Sequence, residues 1–521
     1  MKQAAVHCIG CGGEQAVPAA NEVGGKAHKL MRMAAMGLAV PPGFVLGTAW
    51  CGRHQALKPE DWQPALEQVE RASGLAFGDM RRPLLLSVRS GAPASMPGMM
   101  DTLLDIGLCD ATLPGLLRLC GNPRQAWDSY RRLVAGYGET VAGVAQGTFE
   151  ADLLDLTQGR DERELDFADL RELTRRHLAS YERGVGEAFP QDPQEQLRQA
   201  IHAVFDSWHS PRAEEYRSIH GISASPGTAV TVQRMVFGNA GGISGAGVGF
   251  TRNPATGDAE PWVDFLFNAQ GEDVVGGRRD ARGDQHLQAV APALWTELLG
   301  VMDRLEREFG DMQDFEFTIE RGSLLLLQTR DGKRTPLAAL RITLDLYEEG
   351  IIDRPQALRR SEGLDPAELR VSVVDAGALE PLAHAVSASM GIAAGEIALD
   401  AARALKRASE GASVILLRDD AETDDLSAVH QARGLLTRRG ARTSHAAVIA
   451  RHLGKVCLVG CEELRIDARM RQVRLGEVTL AEGDRITLDA NSGLVYQGEL
   501  ETVLLEPRDL LMRLDRLRGQ T

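Results

Sequence analysis

The run at 312–335, MQDFEFTIERGSLLLLQTRDGKRT, constrains this chain more than any other stretch. Its first arm, DFEFTIE, alternates polar and apolar residues with the period of a strand. Asp314 and Glu316 therefore share one face, while Phe315 and Phe317 take the other. Arg321-Gly322 supplies a turn, and the return arm LLLLQTR brings back Gln328 and Arg330. Two carboxylates joined by an amide oxygen make an oxygen-ligand set suited to Mg²⁺ on ATP phosphates, with Arg330 placed to neutralise phosphate charge. A solvated polar face on an ordinary antiparallel hairpin is the alternative reading.

Three other segments carry the same kind of chemistry. Gly24-Gly25-Lys26 precedes the helix-periodic HKLMRMAAMGL, and glycines let a backbone approach phosphate while Lys26 adds a mobile cation. LLLSVRSGAPASMPGMMDT, at 84–102, delivers Arg89 from a buried-strand run into a loop of small residues. Such a loop can close over a polyphosphate, or it is a plain Pro-Gly turn with Met side chains in the core. MVFGNAGGISGAGVGFTRNPATG, at 235–257, alternates Gly245, Gly247 and Gly249 before resuming as a strand at Phe250. It is neither a Walker loop nor a dinucleotide fingerprint, and a Gly-rich hairpin is the alternative.

Around these segments the chain reads as a mixed α/β and α+β multidomain protein. Residues 1–338 are punctuated by Gly and Pro between short apolar runs. Within them, 150–215 turn charged and helix-periodic, as a helical insertion would. Residues 339–384 read as a helical connector. Residues 385–500 alternate short strand-like runs (SVILLR, VCLVG, RITLDA) with an Ala-rich helix, and close on a hairpin around Asn491-Ser492-Gly493. Residues 501–521 form a last helix. A net charge of −15 argues against a nucleic-acid surface but not against a local phosphate site. No apolar run has the roughly 18–20 residues of a membrane span, and the N-terminus lacks a secretory apolar region, so the expected location is cytoplasmic. Seven cysteines, an odd number, form no disulfide framework. Cys8 and Cys11 make a lone CxxC, read as two reduced thiols in a flexible N-terminal segment rather than a zinc site.

The second centre of chemistry is GLLTRRGARTSHAAVIARHLGK, at 434–455. Thr443 and Ser444 are suited to capping the helix that follows, which puts His445 in its first turn. The positive helix end favours a neutral, nucleophilic imidazole and stabilises a phosphoryl group once it is attached. Arg442 can add hydrogen bonds to that phosphate. His452 reads as packing or surface.

Together these residues resemble the pyruvate, phosphate dikinase family over most of the chain. SVRSGAPASMPGMMDT, DSYRRL, FPQDPQEQL, GTAVTVQRMVFGN, GVGFTRNPATG, NAQGEDVVGG and the 312–335 hairpin look like that family's ATP-grasp nucleotide domain, and TSHAAVIARHLGK like its phosphohistidine motif. The resemblance implies Lys26 and Arg89 on ATP phosphates, and Asp314, Glu316 and Gln328 on nucleotide and Mg²⁺, with Arg330 beside the phosphates. It also implies Glu272 at the nucleotide pocket, Gln233 through Met235 and Val236 along the adenine, and His445 as phosphoryl carrier on a swivelling domain. In that family ATP and phosphate become AMP and pyrophosphate as the histidine is charged. One departure is Gly440-Ala441-Arg442 where the family reads Gly-Gly-Met before Thr-Ser-His. The other is the family's C-terminal barrel, for which about 20 residues beyond the histidine domain leave no room.

The resulting expectation is a phosphotransferase that charges His445 and passes the group to an acceptor such as pyruvate on a separate subunit or partner. A homodimer is left open. The competing readings are a non-catalytic, nucleotide-binding relic that regulates a partner, and transfer to a different small molecule.

Overall fold

The computed structural model describes residues 5–13, 16–94, 96, 100–145, 147–160, 162–275, 283–365, 369–375, 377, 379–420, 425–440, 447, 450–451 and 453–519, with backbone alone at 163, 219–220, 272, 275, 283–285 and 371. They fall into two compact units, residues 1–244 with 319–329, and residues 245–318 with 330–521.

The first unit is built on a five-stranded antiparallel sheet in the order Val6–Ile9, Gly43–Leu46, Ala229–Arg234, Leu86–Gly91, Thr102–Ile106. A strand from late in the unit, Ala229–Arg234, is thus inserted between two early ones. Helices follow where the sequence supplies start signals. Asn122, Asp192 and Ser210 each accept a backbone N–H from the first turn of a helix whose first residue is Pro. The helices Thr148–Thr157, Phe167–Val185, Pro193–Asp206 and Pro211–His220 occupy the charged, periodic region. They share one hydrophobic cluster with the sheet, in which Phe44, Trp62, Tyr130, Tyr137, Phe205 and Trp208 are buried. Val6–Ile9 belongs to the sheet, so Cys8 sits on an ordered strand and the flexible segment expected around the CxxC is corrected.

In the second unit Gly245–Phe250 pairs antiparallel with Trp262–Phe267. The strand begins at Gly245, five residues before the expected Phe250, because its glycines make room for aromatic rings. A Cβ at Gly247 would run into the Phe317 ring, and one at Gly249 would lie 2.9 Å from the Phe315 ring. The Gly-rich stretch is therefore a strand of a hairpin and not a phosphate loop. Arg252, just past it, is buried among Glu306 at 2.9 Å, Asp345 at 3.3 Å and Glu349 at 2.9 Å.

Residues 383–497 hold an eight-stranded mixed sheet. Ile392–Ala398, Val414–Arg418, Gly434–Thr437 and Val456–Val459 run parallel at its centre, flanked by antiparallel strands. Helices Ala401–Ser409 and Leu426–Gln431 cover one face together with Ala447 and Ala450. A three-stranded sheet, Leu464–Asp467 with Gln472–Leu475 and Val478–Ala481, covers the other. The expected closing hairpin forms: Arg485–Asp489 pairs with Leu494–Gln497, and Asp489 Oδ1 accepts the Asn491 N–H at 3.0 Å. The connector holds helices Pro336–Glu348 and Arg354–Ser361, and the last helix, Arg508–Arg518, shares their apolar cluster. Among the described residues no helix is long and apolar enough to cross a membrane.

Candidate functional site

In the first unit the Gly-Gly-Lys segment lies inside a helix, Ala20–Ala35, broken at Gly24, where φ is 78° and ψ is 156°. Only glycine holds that conformation comfortably, and a Cβ there would run into the Gly91 carbonyl. Gly25 donates its N–H to the Ala92 carbonyl at 3.1 Å. The break seats the helix on the end of the Leu86–Gly91 strand, which carries Arg89, and leaves Lys26 Cβ 3.6 Å from where a Gly91 Cβ would stand. Two cations well apart in sequence are thereby brought to one strand end. Opposite Arg89 in the sheet is Thr231, whose buried hydroxyl has no hydrogen-bond partner among the described residues. An unpaired buried hydroxyl next to two cations is a natural donor to a phosphate oxygen. Sequence reading missed Thr231, and no local signal marks it.

Gln233 lies on the same strand, opposite Gly43 and Ser87, and its Nε2 donates to the Pro41 carbonyl at 2.8 Å. Met235 and Val236 are buried just beyond the strand, with the Met235 N–H on the Leu85 carbonyl at 2.8 Å. Arg234 pairs with Glu320 at 2.7 Å, and Glu320 also accepts the Phe237 N–H at 2.9 Å. Glu320 thus holds the strand exit, a role its place in the alternating arm did not reveal. Gln328 is partly buried on the Ser323–Asp331 strand.

The second unit holds the hairpin arm Gln313–Glu320 through Thr318, and its first part alternates as expected: Phe315 and Phe317 are buried, Asp314 and Glu316 partly exposed. Arg330 Nε donates to Asp314 Oδ2 at 2.6 Å. Burial nevertheless raises the Asp314 carboxyl above the usual carboxylate range, with Glu316 adding to the rise, while Arg330 and Arg451 oppose it. Burial also opposes the charge on Arg330, but Asp314 and Glu316 outweigh it. Arg451 is in helical conformation and lies in the 434–455 segment that also contains His445 in the sequence. Its Nη1 donates to the Ala388 carbonyl at 3.1 Å, and it lies within electrostatic reach of Asp314, Asp264 and Arg330. Burial lowers the Arg451 guanidinium below its ordinary value although Cys457, Asp314 and Asp264 favour its charge. A charge cluster thus joins the 313–331 hairpin to the 434–455 segment, and neither Arg451 nor Asp264 was singled out from the sequence.

Arg442, Thr443, Ser444, His445 and His452 lie outside the described residues, as does the side chain of Glu272 on the Gly271–Val275 helix. Among the described residues no three His, Cys, Asp or Glu side chains group to hold a metal ion. Two carboxylates and an amide suit Mg²⁺, which keeps waters and takes further oxygens from substrate phosphates. They would not suit zinc.

Residues 54–286 match the family described as "Pyruvate phosphate dikinase, AMP/ATP-binding domain", and residues 411–493 match "PEP-utilising enzyme, mobile domain". The chain is therefore of the class that joins a nucleotide-binding domain to the mobile domain of PEP-utilising enzymes. It is 43% identical to pyruvate, phosphate dikinase of Rhizobium meliloti over 94% of its own length and 57% of that protein's. It is 42% identical to the Clostridium symbiosum enzyme (92% and 57%) and 41% to chloroplastic pyruvate, phosphate dikinase 1 of Arabidopsis thaliana (92% and 51%). The chain belongs to the pyruvate, phosphate dikinase family, and spans little more than half the length of these relatives.

Proposed function

We propose that the chain is an ATP-dependent phosphotransferase with an ATP-grasp-like nucleotide domain and a swivelling phosphohistidine domain. ATP and phosphate yield AMP and pyrophosphate as His445 is phosphorylated, and the phosphoryl group then passes to an acceptor such as pyruvate on a separate subunit or partner. Lys26 and Arg89 hold the triphosphate, and Thr231 donates to it. Arg330 neutralises charge on the transferring group, while Glu272, Gln233, Met235 and Val236 border the nucleotide. Asp314, Glu316 and Gln328 would hold Mg²⁺, which when bound neutralises phosphate charge and orients the phosphoryl group.

The observation that carries this reading is the charge cluster of Arg451 with Asp314, Asp264 and Arg330, since it links the segment carrying the proposed nucleophile to the proposed phosphate-handling hairpin. The test is incubation with Mg²⁺ and ATP labelled at the β-phosphate, with and without phosphate, followed by mapping of alkali-stable label. Label on His445 with release of AMP is expected, and His445→Ala should abolish it while sparing ATP binding. Retained label in that variant removes His445 as carrier. ATP bound without label under any condition favours the regulatory relic.

A further inference from the structure

The CxxC turn takes no part in the function proposed above, yet it is seated at the edge of the first unit's sheet, with Cys8 on the strand Val6–Ile9 and Cys11 just past its end. Cys8 is buried on Val6–Ile9, opposite Phe44. Cys11 is half-buried past the turn, its sulfur 3.4 Å from the Ile9 carbonyl and 3.6 Å from the Gly43 carbonyl. Between them Gly10 adopts φ 63°, with the position of a Cβ 3.0 Å from the Val40 carbonyl, so the turn sits directly on 39–43. The interaction between the two thiols lowers Cys11 and raises Cys8, and burial adds to the rise of Cys8. Such a split between a half-buried low thiol and a buried high one is the pattern of a reactive CxxC pair. A metal role is disfavoured, because two sulfurs leave a tetrahedral site half filled and no third ligand joins them among the described residues.

The 39–43 segment is where a change at this turn would be felt. Its Ala39 carbonyl accepts the Leu326 N–H at 2.9 Å, and its Pro42 carbonyl accepts the Arg234 N–H at 2.9 Å. Its Pro41 carbonyl accepts Gln233 Nε2 at 2.8 Å. The same five residues thus touch the cysteine turn, the strand carrying Gln233, and the strand carrying Gln328.

We propose that Cys8 and Cys11 form a redox-active dithiol that a low-molecular-weight disulfide oxidises to an intramolecular disulfide, weakening nucleotide binding through the 39–43 segment. The second half rests on the nucleotide reading above. The Cys11 thiolate attacks one sulfur of glutathione disulfide, forming a mixed disulfide and releasing one glutathione thiolate, which takes up a proton. Cys8, losing its proton to water, then attacks the Cys11 sulfur, and the bond to the second glutathione breaks as that thiol leaves. Two protein thiols are oxidised and one glutathione disulfide is reduced to two glutathiones. The new bond removes the thiol proton that Cys11 offers to the Ile9 and Gly43 carbonyls, and it shifts the turn against Val40.

The experiment is equilibration of the full chain in glutathione redox buffers, followed by alkylation and peptide mass mapping. A Cys8–Cys11 linkage is expected, reversed by dithiothreitol, with Cys8→Ser trapping Cys11 as its glutathione mixed disulfide. Persistent alkylation of both cysteines, or a stable mixed disulfide in the unaltered chain, overturns the site. ATP affinity measured by calorimetry should fall at least about threefold on oxidation and stay constant in a Cys8→Ser, Cys11→Ser double variant; unchanged affinity of the disulfide form overturns the coupling. If neither redox form binds ATP, the nucleotide reading fails instead. Amide exchange at Arg234 and Leu326 then decides: faster exchange on oxidation upholds the coupling, and unchanged exchange overturns it.

Discussion

Single residues decide how the groups proposed to handle phosphate are held. Gly24 lies in a backbone region that is nearly exclusive to glycine, which costs other residues about 1–3 kcal/mol, and its missing Cβ leaves space for the Gly91 carbonyl. Gly24→Ala should therefore cost at least that much in thermal or urea unfolding, and should also loosen ATP binding through Lys26. Asp314 gives a pH test with two opposite signs. Burial raises its folded value, so its contribution to stability is present below the ordinary carboxylate range and is lost as pH rises through the raised value. On the proposed function Mg²⁺-dependent labelling needs the ionised form, so it should weaken as falling pH protonates the carboxyl. Asp314→Asn should flatten the stability change across that window and reduce Mg²⁺-dependent labelling about tenfold or more; unfolding curves and labelling at several pH values check both. The pairing of Asp314 with Glu316 was legible because strand alternation is a local property. Thr231 was not, since its importance comes from Arg89, which is adjacent only across a sheet.

At the scale of elements, Asn122-Pro123 and Asp192-Pro193 start their helices with a cap and a Pro, a signal whose effect lies within one turn although it was not singled out from the sequence. The Gly245–Phe250 strand was harder to read. Its alternating glycines resemble a phosphate loop until Phe315, Phe317 and Phe265 are found lying over them. The turn that follows is held by Arg252, whose partners Glu306, Asp345 and Glu349 come from two different helices. Removing the guanidinium leaves the buried Glu306 carboxylate without its ion partner, so Arg252→Ala should cost about 3–5 kcal/mol in unfolding free energy. A loss well under 1 kcal/mol would mean that the helices hold the turn without it.

At the scale of the whole molecule, the connector and the chain's last helix share a core of their own. Leu510, Leu514 and Leu517 of Arg508–Arg518 are buried with Leu340, Leu344 and Ile352, and Arg513 pairs with Asp345 at 2.6 Å. Leu514→Ala should cost about 2–5 kcal/mol, read as a lower denaturation midpoint, and it should leave nucleotide binding intact. By itself the sequence determined the two faces of the hairpin's first arm, the closing strands of the mobile domain and the family to which the chain belongs, because each is written in short-range patterns of period, turn and motif. Only the tertiary structure decided which distant residues meet: Lys26 at the strand end of Arg89, Arg451 beside Asp314, Cys11 against Gly43, and the last helix on the connector. Such meetings arise from burying apolar surface and pairing buried charge over long chain separations, and those energies leave no trace in any local stretch of residues.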